Sequence, residues 1–499
     1  MKPRFIKIHP NDNVVIAIEK ILNDEIILVD NNAIKILSDV SHGHKIAIKN
    51  IIEGENIFKY GHVIGHASAN IKPGELVHSH NLKTNLSDII NYKYEPADFS
   101  ENKIDSAVPT FLGYKRKNGK VGTRNEIWII NTVGCVNTSA ERIAKICNEK
   151  FKSQNFDGVF SFAHPYGCSQ LGDDLTNTQK VLSGLMHNPN AGGILVIGLG
   201  CENNQMKSLL KLASGVEQER IRSFNSQEVK DEIEEGVKLA GELFEAMKAD
   251  KREECPVSEL TLGMKCGGSD GFSGISANSL VGRITDLLSS LNGRIILTEV
   301  PEMFGAEQQL MNRAKSKEVY QKIVEMINSF KQYFISHNQP IYENPSPGNK
   351  EGGLTTLEEK SLGAIQKGGT SRVNQVLSYG EQITENGLAL LQAPGNDGVS
   401  STAMTASGAT IILFTTGRGT PLGFPVPTMK ISSNSNLFFN KPNWIDFDAG
   451  RLLTGEKNID DLTKELFNLI IETASGKANT KNEINGYKEI AIWKEGVTL

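Results

Sequence analysis

At 499 residues the chain is long enough for about three domains of ordinary size. Its 53 Lys and Arg against 58 Asp and Glu leave a formal charge of −5, too small and of the wrong sign for binding nucleic acid or an anionic membrane by bulk charge. Six cysteines make no disulfide framework, and no window approaches the roughly 18 apolar residues that a membrane-spanning helix needs.

The first residues, MKPRFIKIHPNDNVVIAIEK, hold no apolar stretch ending in a cleavage site, so no signal peptide is expected and the expected location is cytoplasmic. Residues 1–95 carry short β-branched runs, such as Val14-Val15-Ile16-Ala17-Ile18 and Ile46-Ala47-Ile48, punctuated by Gly, Asn and Asp. This reads as a small β domain. Seven of the ten histidines lie here, among them the pairs His42-Gly43-His44 and His78-Ser79-His80. On a strand, residues i and i+2 share a side, so each pair could chelate a metal; solvent-facing histidines are the alternative.

Residues 96–112 are polar and aperiodic and read as a linker. From 113 onward, apolar strand-like runs alternate with helix-like segments, the grammar of α/β proteins. Runs at 126–130, 159–163 and 193–197 each lead through a loop into a helix, and 226–254 is charged and helical in character. A boundary near 254 divides an α/β domain, 113–254, from a C-terminal α/β domain, 255–499. The latter has strand-like runs at 260–264, 294–298, 388–391 and 410–414 and an amphipathic tail helix from Ile459 to about Ser475.

Ligands of α/β sheets bind beyond the carboxyl ends of strands, and the chemistry-bearing residues fall there. Cys135, Cys168, Cys201 and Cys266 each follow a strand-like run, the first three at intervals of 33 residues. They read either as iron ligands or reactive thiols at one rim, or as small apolar residues in tight turns. Gly198-Leu199-Gly200 has Asn203 where a dinucleotide fingerprint needs glycine, and no phosphate-binding P-loop occurs. Arg418, between Gly417 and Gly419, suits bidentate binding of a carboxylate, or else caps a helix. Lys350 ends the loop Asn344-Pro345-Ser346-Pro347-Gly348-Asn349, a second anion contact or a structural turn. Glu202, Asp270, Glu299 and Glu302 are acidic candidates for metal binding or proton transfer.

These motifs together resemble the altronate/galactarate dehydratase family. The resemblance is carried by Gly43-His44-Lys45, His78-Ser79-His80-Asn81, Tyr166-Gly167-Cys168, Gly198-Leu199-Gly200-Cys201-Glu202, Cys266-Gly267-Gly268-Ser269-Asp270, the 344–350 loop and Thr415-Thr416-Gly417-Arg418-Gly419-Thr420-Pro421. It spans nearly the whole chain and is closer to the altronate branch. It implies a small SAF-like β domain joined to a large multi-layer α/β catalytic region, and dehydration of D-altronate to 2-dehydro-3-deoxy-D-gluconate. It also implies dependence on Fe2+, or on Mn2+.

On that footing His44, His78 and His80 are expected at the metal, with Cys201 or Cys168 completing its shell. His164 is the favoured general acid or base, Lys45 the second, with Cys168 also a catalytic candidate. Arg418 and Lys350 would hold the carboxylate, and Ser269 and Asp270 the sugar hydroxyls. The expected partner is a small-molecule sugar acid, within a homo-oligomer, with neither nucleic acid nor membrane. The rivals are dehydration of galactarate or another sugar acid, an iron–sulfur dehydratase using the four cysteines, and a non-catalytic sugar-binding module.

Overall fold

The computed structural model describes residues 3–87, 89–99 and 108–499. Residues 100–107 of the expected linker lie outside the described residues, and Thr110–Leu112 already belong to the strand Thr110–Lys115.

The N-terminal domain is built of short antiparallel strands. Its four-stranded sheet has the order Phe5–Ile6, Val14–Ala17, Lys45–Ala47 and Leu76–Val77. Alternation along Val14–Ala17 decides how the domain docks. Val15 and Ala17 join Ile21, Ile34 and Ile46 in the domain's own core. Val14 and Ala47 point the other way, into a core continuous with the C-terminal region. Neither His42-Gly43-His44 nor His78-Ser79-His80 lies on a strand, since both triplets are turns at strand ends. The i, i+2 geometry expected for them therefore does not apply.

The second region holds a parallel four-stranded sheet, in the order Gly158–Ser161, Glu126–Asn131, Ala191–Gly198, Ile221–Asn225. Both faces are covered, so its central strands are apolar throughout, as parallel strands are. Ile127 and Ile129 pack on the helices Asn137–Lys150 and Glu232–Met247. Trp128 and Ile130 face the helix Gly172–Met186. Helix occupies only Glu232–Met247 of the segment 226–254; Glu253–Pro256 form a strand antiparallel to Thr110–Lys115. The chain therefore enters and leaves this region along two paired strands, and ladder bonds override the local Lys/Glu-rich composition.

The third region is a seven-stranded parallel sheet, in the order Val373–Leu377, Gly387–Leu391, Arg294–Leu297, Thr261–Cys266, Ile411–Thr416, Thr428–Ser432, Phe447–Asp448. One face packs on the helices Ala277–Ser290 and Ile459–Ala474. The tail helix is capped by Asn458, whose side chain accepts from the Asp461 N–H, with Asp460 and Asp461 in its first turn. The other face, with Ile296 and Ile412, meets the helix Asp397–Ala406 and shares one core with the four-stranded sheet.

The two parallel sheets are bolted together at their amino ends. Thr123 Oγ1 and Asn190 Nδ2 both donate to the Thr410 carbonyl, at 3.2 and 3.1 Å. Among the described residues no helix is long and apolar enough to cross a membrane.

Candidate active site

The N-terminal domain sits over the carboxyl edge of the seven-stranded sheet, and glycines allow the approach. A Cβ on Gly271 would stand 2.0 Å from the Gly43 carbonyl oxygen, and one on Gly353, at φ +99°, would stand 2.2 Å from the same atom. Beneath this contact Lys45 and Lys59 clamp Glu359 from both sides, at 2.8 Å each, with all three side chains fully buried. Burial alone would raise the Glu359 carboxyl, but the two ammonium groups bring it down to about 2. Burial lowers Lys45 to about 8, against the pull of Glu359. Lys45 Nζ also donates to the Gly353 carbonyl at 2.8 Å. Its donors thus go to the domain contact.

Next to Lys45, the rings of His44 and His78 face each other with centroids 5.3 Å apart. His44 Nδ1 lies 3.1 Å from the His42 carbonyl oxygen, and His78 Nε2 lies 2.9 Å from that of Lys350. Each contact makes that nitrogen the donor and leaves the lone pair on the other one, which in His78 is Nδ1, 3.1 Å from the Ser79 hydroxyl. Metal-binding histidines are oriented in the same manner, by an N–H donated to a backbone carbonyl. Burial lowers the pKa of both rings, which favours the neutral, ligating form. The two imidazoles thus fit a divalent metal as two nitrogen donors. His80 is exposed on the adjoining turn, and Cys201 stands on the rim of the other sheet, against Gln227. The four residues expected on one metal are therefore not gathered.

The loop after Thr261–Cys266 carries Ser269 and Asp270. The Asp270 carboxylate accepts from Phe272 N, Ser273 Oγ, Ser433 Oγ and Asn434 Nδ2. Neighbouring strands bring their loops together here: a Cβ on Gly417 would stand 2.3 Å from the Asp270 carboxyl carbon. Asp270 therefore ties loops together. Ser269 is anchored through its carbonyl by Asn349 Nδ2, at 2.8 Å. Arg418 stays half-exposed beside the short helix Pro347–Glu351, with one contact to the Gly348 carbonyl at 3.3 Å and one to Glu351 at 3.4 Å. Lys350 lies on that same helix and provides the carbonyl that orients His78.

Below the helix lies an ion cluster that the sequence reading missed in part. Cys266, Glu299 and Glu302 place donor atoms within 4.8 Å of one another, and among the described residues they are the one His, Cys or carboxylate trio that does so. Lysines fill the space between them. Lys367 Nζ lies 2.7 Å from Cys266 Sγ and 2.8 Å from Glu299; Lys265 pairs with Glu299 and, at 2.8 Å, with Asp397; Lys360 pairs with Glu302 at 2.9 Å. Three ammonium groups already balance three carboxylates, so this cluster does not call for a metal. Burial and the neighbouring Glu299 push the Cys266 thiol up to about 12. Glu299 is a buried non-glycine residue at φ 72°, a strained conformation of the kind that functional sites retain. Glu299 and Glu302 were legible as acidic residues after a strand. Lys265, Lys360, Lys367 and Glu359 were not, although Lys265 inside a fully buried strand was a signal.

His164, Cys168 and Cys201 lie on the rim of the four-stranded sheet. His164 is 2% exposed, with Nε2 against the Asn131 carbonyl oxygen at 2.8 Å and Nδ1 accepting from Tyr166 N at 3.2 Å. Both His164 nitrogens meet backbone here, so its ring joins two loops. Cys168 and Cys201 are exposed, as is Cys135.

Three family profiles match the chain in order: the altronate/galactarate dehydratase SAF domain over residues 3–85, the D-galactarate dehydratase/altronate hydrolase second domain over 113–248, and the D-galactarate/altronate dehydratase C-terminal domain over 257–498. The chain is 52% identical over 496 residues to an altronate dehydratase of Bacillus subtilis (strain 168), covering 99% of both proteins. It is 50% identical over 497 residues to an altronate dehydratase of Escherichia coli (strain K12), covering 99% of this chain and 100% of that one. It is 33% identical over 514 aligned residues to a galactarate dehydratase (L-threo-forming) of the same organism, covering 98% of this chain and 96% of that one. With an SAF domain docked over a parallel sheet's carboxyl edge and full-length relatives at this identity, the chain belongs to the altronate/galactarate dehydratase family and is a sugar-acid dehydratase, a hydro-lyase.

Proposed function

We propose that the enzyme converts D-altronate to 2-dehydro-3-deoxy-D-gluconate and water, with Fe2+ or Mn2+ held by His44 and His78. The two relatives near 50% identity support the substrate. The observation that carries the site is the pair of facing imidazoles, each with one nitrogen spent on a backbone carbonyl, beside Lys350 and Arg418.

The elimination removes the C2 proton, and the C3 hydroxyl departs as water with its bonding pair. The resulting enol becomes the 2-keto acid by taking a proton at C3. The C2 proton is weakly acidic and hydroxide is a poor leaving group, so the site must stabilise negative charge. A divalent metal supplies that as a Lewis acid for the enolate-like charge or the departing oxygen. Arg418 presents a planar fork to the C1 carboxylate, and Lys350 adds a second cation from the neighbouring helix Pro347–Glu351. Lys45 is a positioning residue: its ion pair with Glu359 sets where His44 stands.

The test is anaerobic purification, loading with Fe2+ or Mn2+, and turnover of D-altronate, galactarate, D-mannonate and D-gluconate, followed by 2-keto acid release. Turnover of D-altronate is expected in the wild type, and loss of turnover with loss of about one metal per chain in His44→Ala and His78→Ala. A metal-replete, fully active His44→Ala enzyme would sink the assignment.

A further inference from the structure

Three cysteines stand on the rim of the four-stranded sheet, apart from the histidine pair, and the fold has arranged them together. Cys168, Cys135 and Cys201 follow Gly158–Ser161, Glu126–Asn131 and Ala191–Gly198, which are consecutive neighbours in that sheet. Each cysteine is exposed, yet the residues beside it are locked into the adjoining loop. Gly134 N donates to Tyr166 O, Asn204 N to Gly167 O and Asn204 Nδ2 to Thr132 O, each at 2.9 Å. Glu202, next to Cys201, accepts from Leu199 N, from Gly200 N and from the Thr132 hydroxyl. Two glycines allow the loops this close: a Cβ on Gly167 would stand 2.0 Å from Thr132 O, and one on Gly134 would stand 2.7 Å from His164 O. Buried Glu202, His164 and Asn204 thus form a rigid polar floor under three thiols.

Such a hydrogen-bonded network rigidifies the loops that carry the three thiols. The helices Asn137–Lys150 and Gly172–Met186 begin just after Cys135 and Cys168. A single tetrahedral ion with metal–sulfur bonds of about 2.3 Å needs its sulfurs about 3.8 Å apart. Among the described residues the trio with donor atoms within 4.8 Å is elsewhere, so these thiols are spread wider than one ion needs. Cys266 is not a fourth member, since it is buried in the lysine–carboxylate cluster of the other sheet. Where the sequence offered four thiols for a cluster, the fold divides them three and one.

We propose that Cys135, Cys168 and Cys201 bind a [4Fe–4S] cluster through three thiolates, leaving the fourth iron open to water or to a hydroxy-carboxylate. Binding costs each thiol its proton and forms one iron–sulfur bond per cysteine, and the cluster keeps its oxidation state. The site is independent of the histidine pair, and either can fail without the other.

The full chain is reconstituted anaerobically with ferrous iron and sulfide, and iron, acid-labile sulfide and visible absorbance are measured. The same is done with His44→Ala, so that iron at the histidines is counted apart. About four irons and four sulfides per chain are expected in His44→Ala. The triple variant of Cys135, Cys168 and Cys201 to Ala is expected to lose them, with its circular dichroism unchanged, whereas Cys147→Ala keeps them. Mild oxidation is expected to release one iron in four and give the paramagnetic signal of a three-iron cluster, because one iron has no protein sulfur. Iron without sulfide, or a cluster undiminished in the folded triple variant, overturns the proposal. So does a cluster that keeps all its iron on mild oxidation, which would mean a fourth protein ligand.

Discussion

A carboxylate buried between two ammonium groups is stable only while the charges stay matched. Glu359 is such a group, between Lys45 and Lys59. Glu359→Gln leaves two lysines buried without their counter-charge and is expected to lower the unfolding free energy by about 3–5 kcal/mol, read from urea denaturation. The acid limb of wild-type stability carries the same signature. The folded carboxyl is held at about 2 against an ordinary 4.5, so the unfolded chain binds the proton first as pH falls. This contribution is complete above pH 4.5 and disappears towards pH 2, and the part of the acid limb due to this carboxyl should be absent in Glu359→Gln. Arg418 offers the opposite case. Half-exposed and held by two long contacts, it contributes little to the fold. Arg418→Ala is expected to leave the thermal midpoint unchanged while kcat/KM for the sugar acid falls about 10- to 100-fold, the worth of a charged hydrogen-bonded contact. An unchanged KM for the carboxylate substrate would remove Arg418 from the site.

Elements meet here through glycine as much as through side chains. The turn at Gly43 lies against Gly271 and Gly353, and no Cβ fits at either position. Gly353→Ala also places alanine at φ +99°, so it is expected to force the N-terminal turn away from the sheet. Turnover should fall more than about tenfold, with faster amide exchange over residues 41–47. Rapid exchange with full activity would separate the domain contact from the chemistry. The strands of both parallel sheets were legible as apolar runs, because sheets covered on both faces need no alternation. The strand Glu253–Pro256 was not: its Glu-Glu-Cys-Pro composition says nothing of the partner, Thr110–Lys115, that makes it a strand. The histidine turns were read as strands for a related reason, since a local run of residues does not show where a strand stops.

Over the whole molecule, the two α/β regions share one core and one seam, and Arg252 is a fastener across it. Its guanidinium donates to the Leu112, Thr123 and Ala474 carbonyls and lies 4.6 Å from the Tyr114 ring centroid. Arg252→Ala is expected to cost about 2–3 kcal/mol of stability while leaving kcat unchanged, since the contact lies on the seam between regions and touches no site residue. Equal losses of kcat and stability would show that the seam also sets the site. The sequence alone was enough for the family, the α/β class, the strand-end loops and most residues around the site, because strand periodicity and short motifs are local properties of the chain. The tertiary structure decided what those residues touch. His164, Lys45 and Asp270 carry the right chemistry in sequence, but buried neighbours from distant segments use up their donors and acceptors. It paired His44 with His78 rather than with His42, and divided four cysteines into three and one, since convergence depends on strand order and docking, which no local spacing contains.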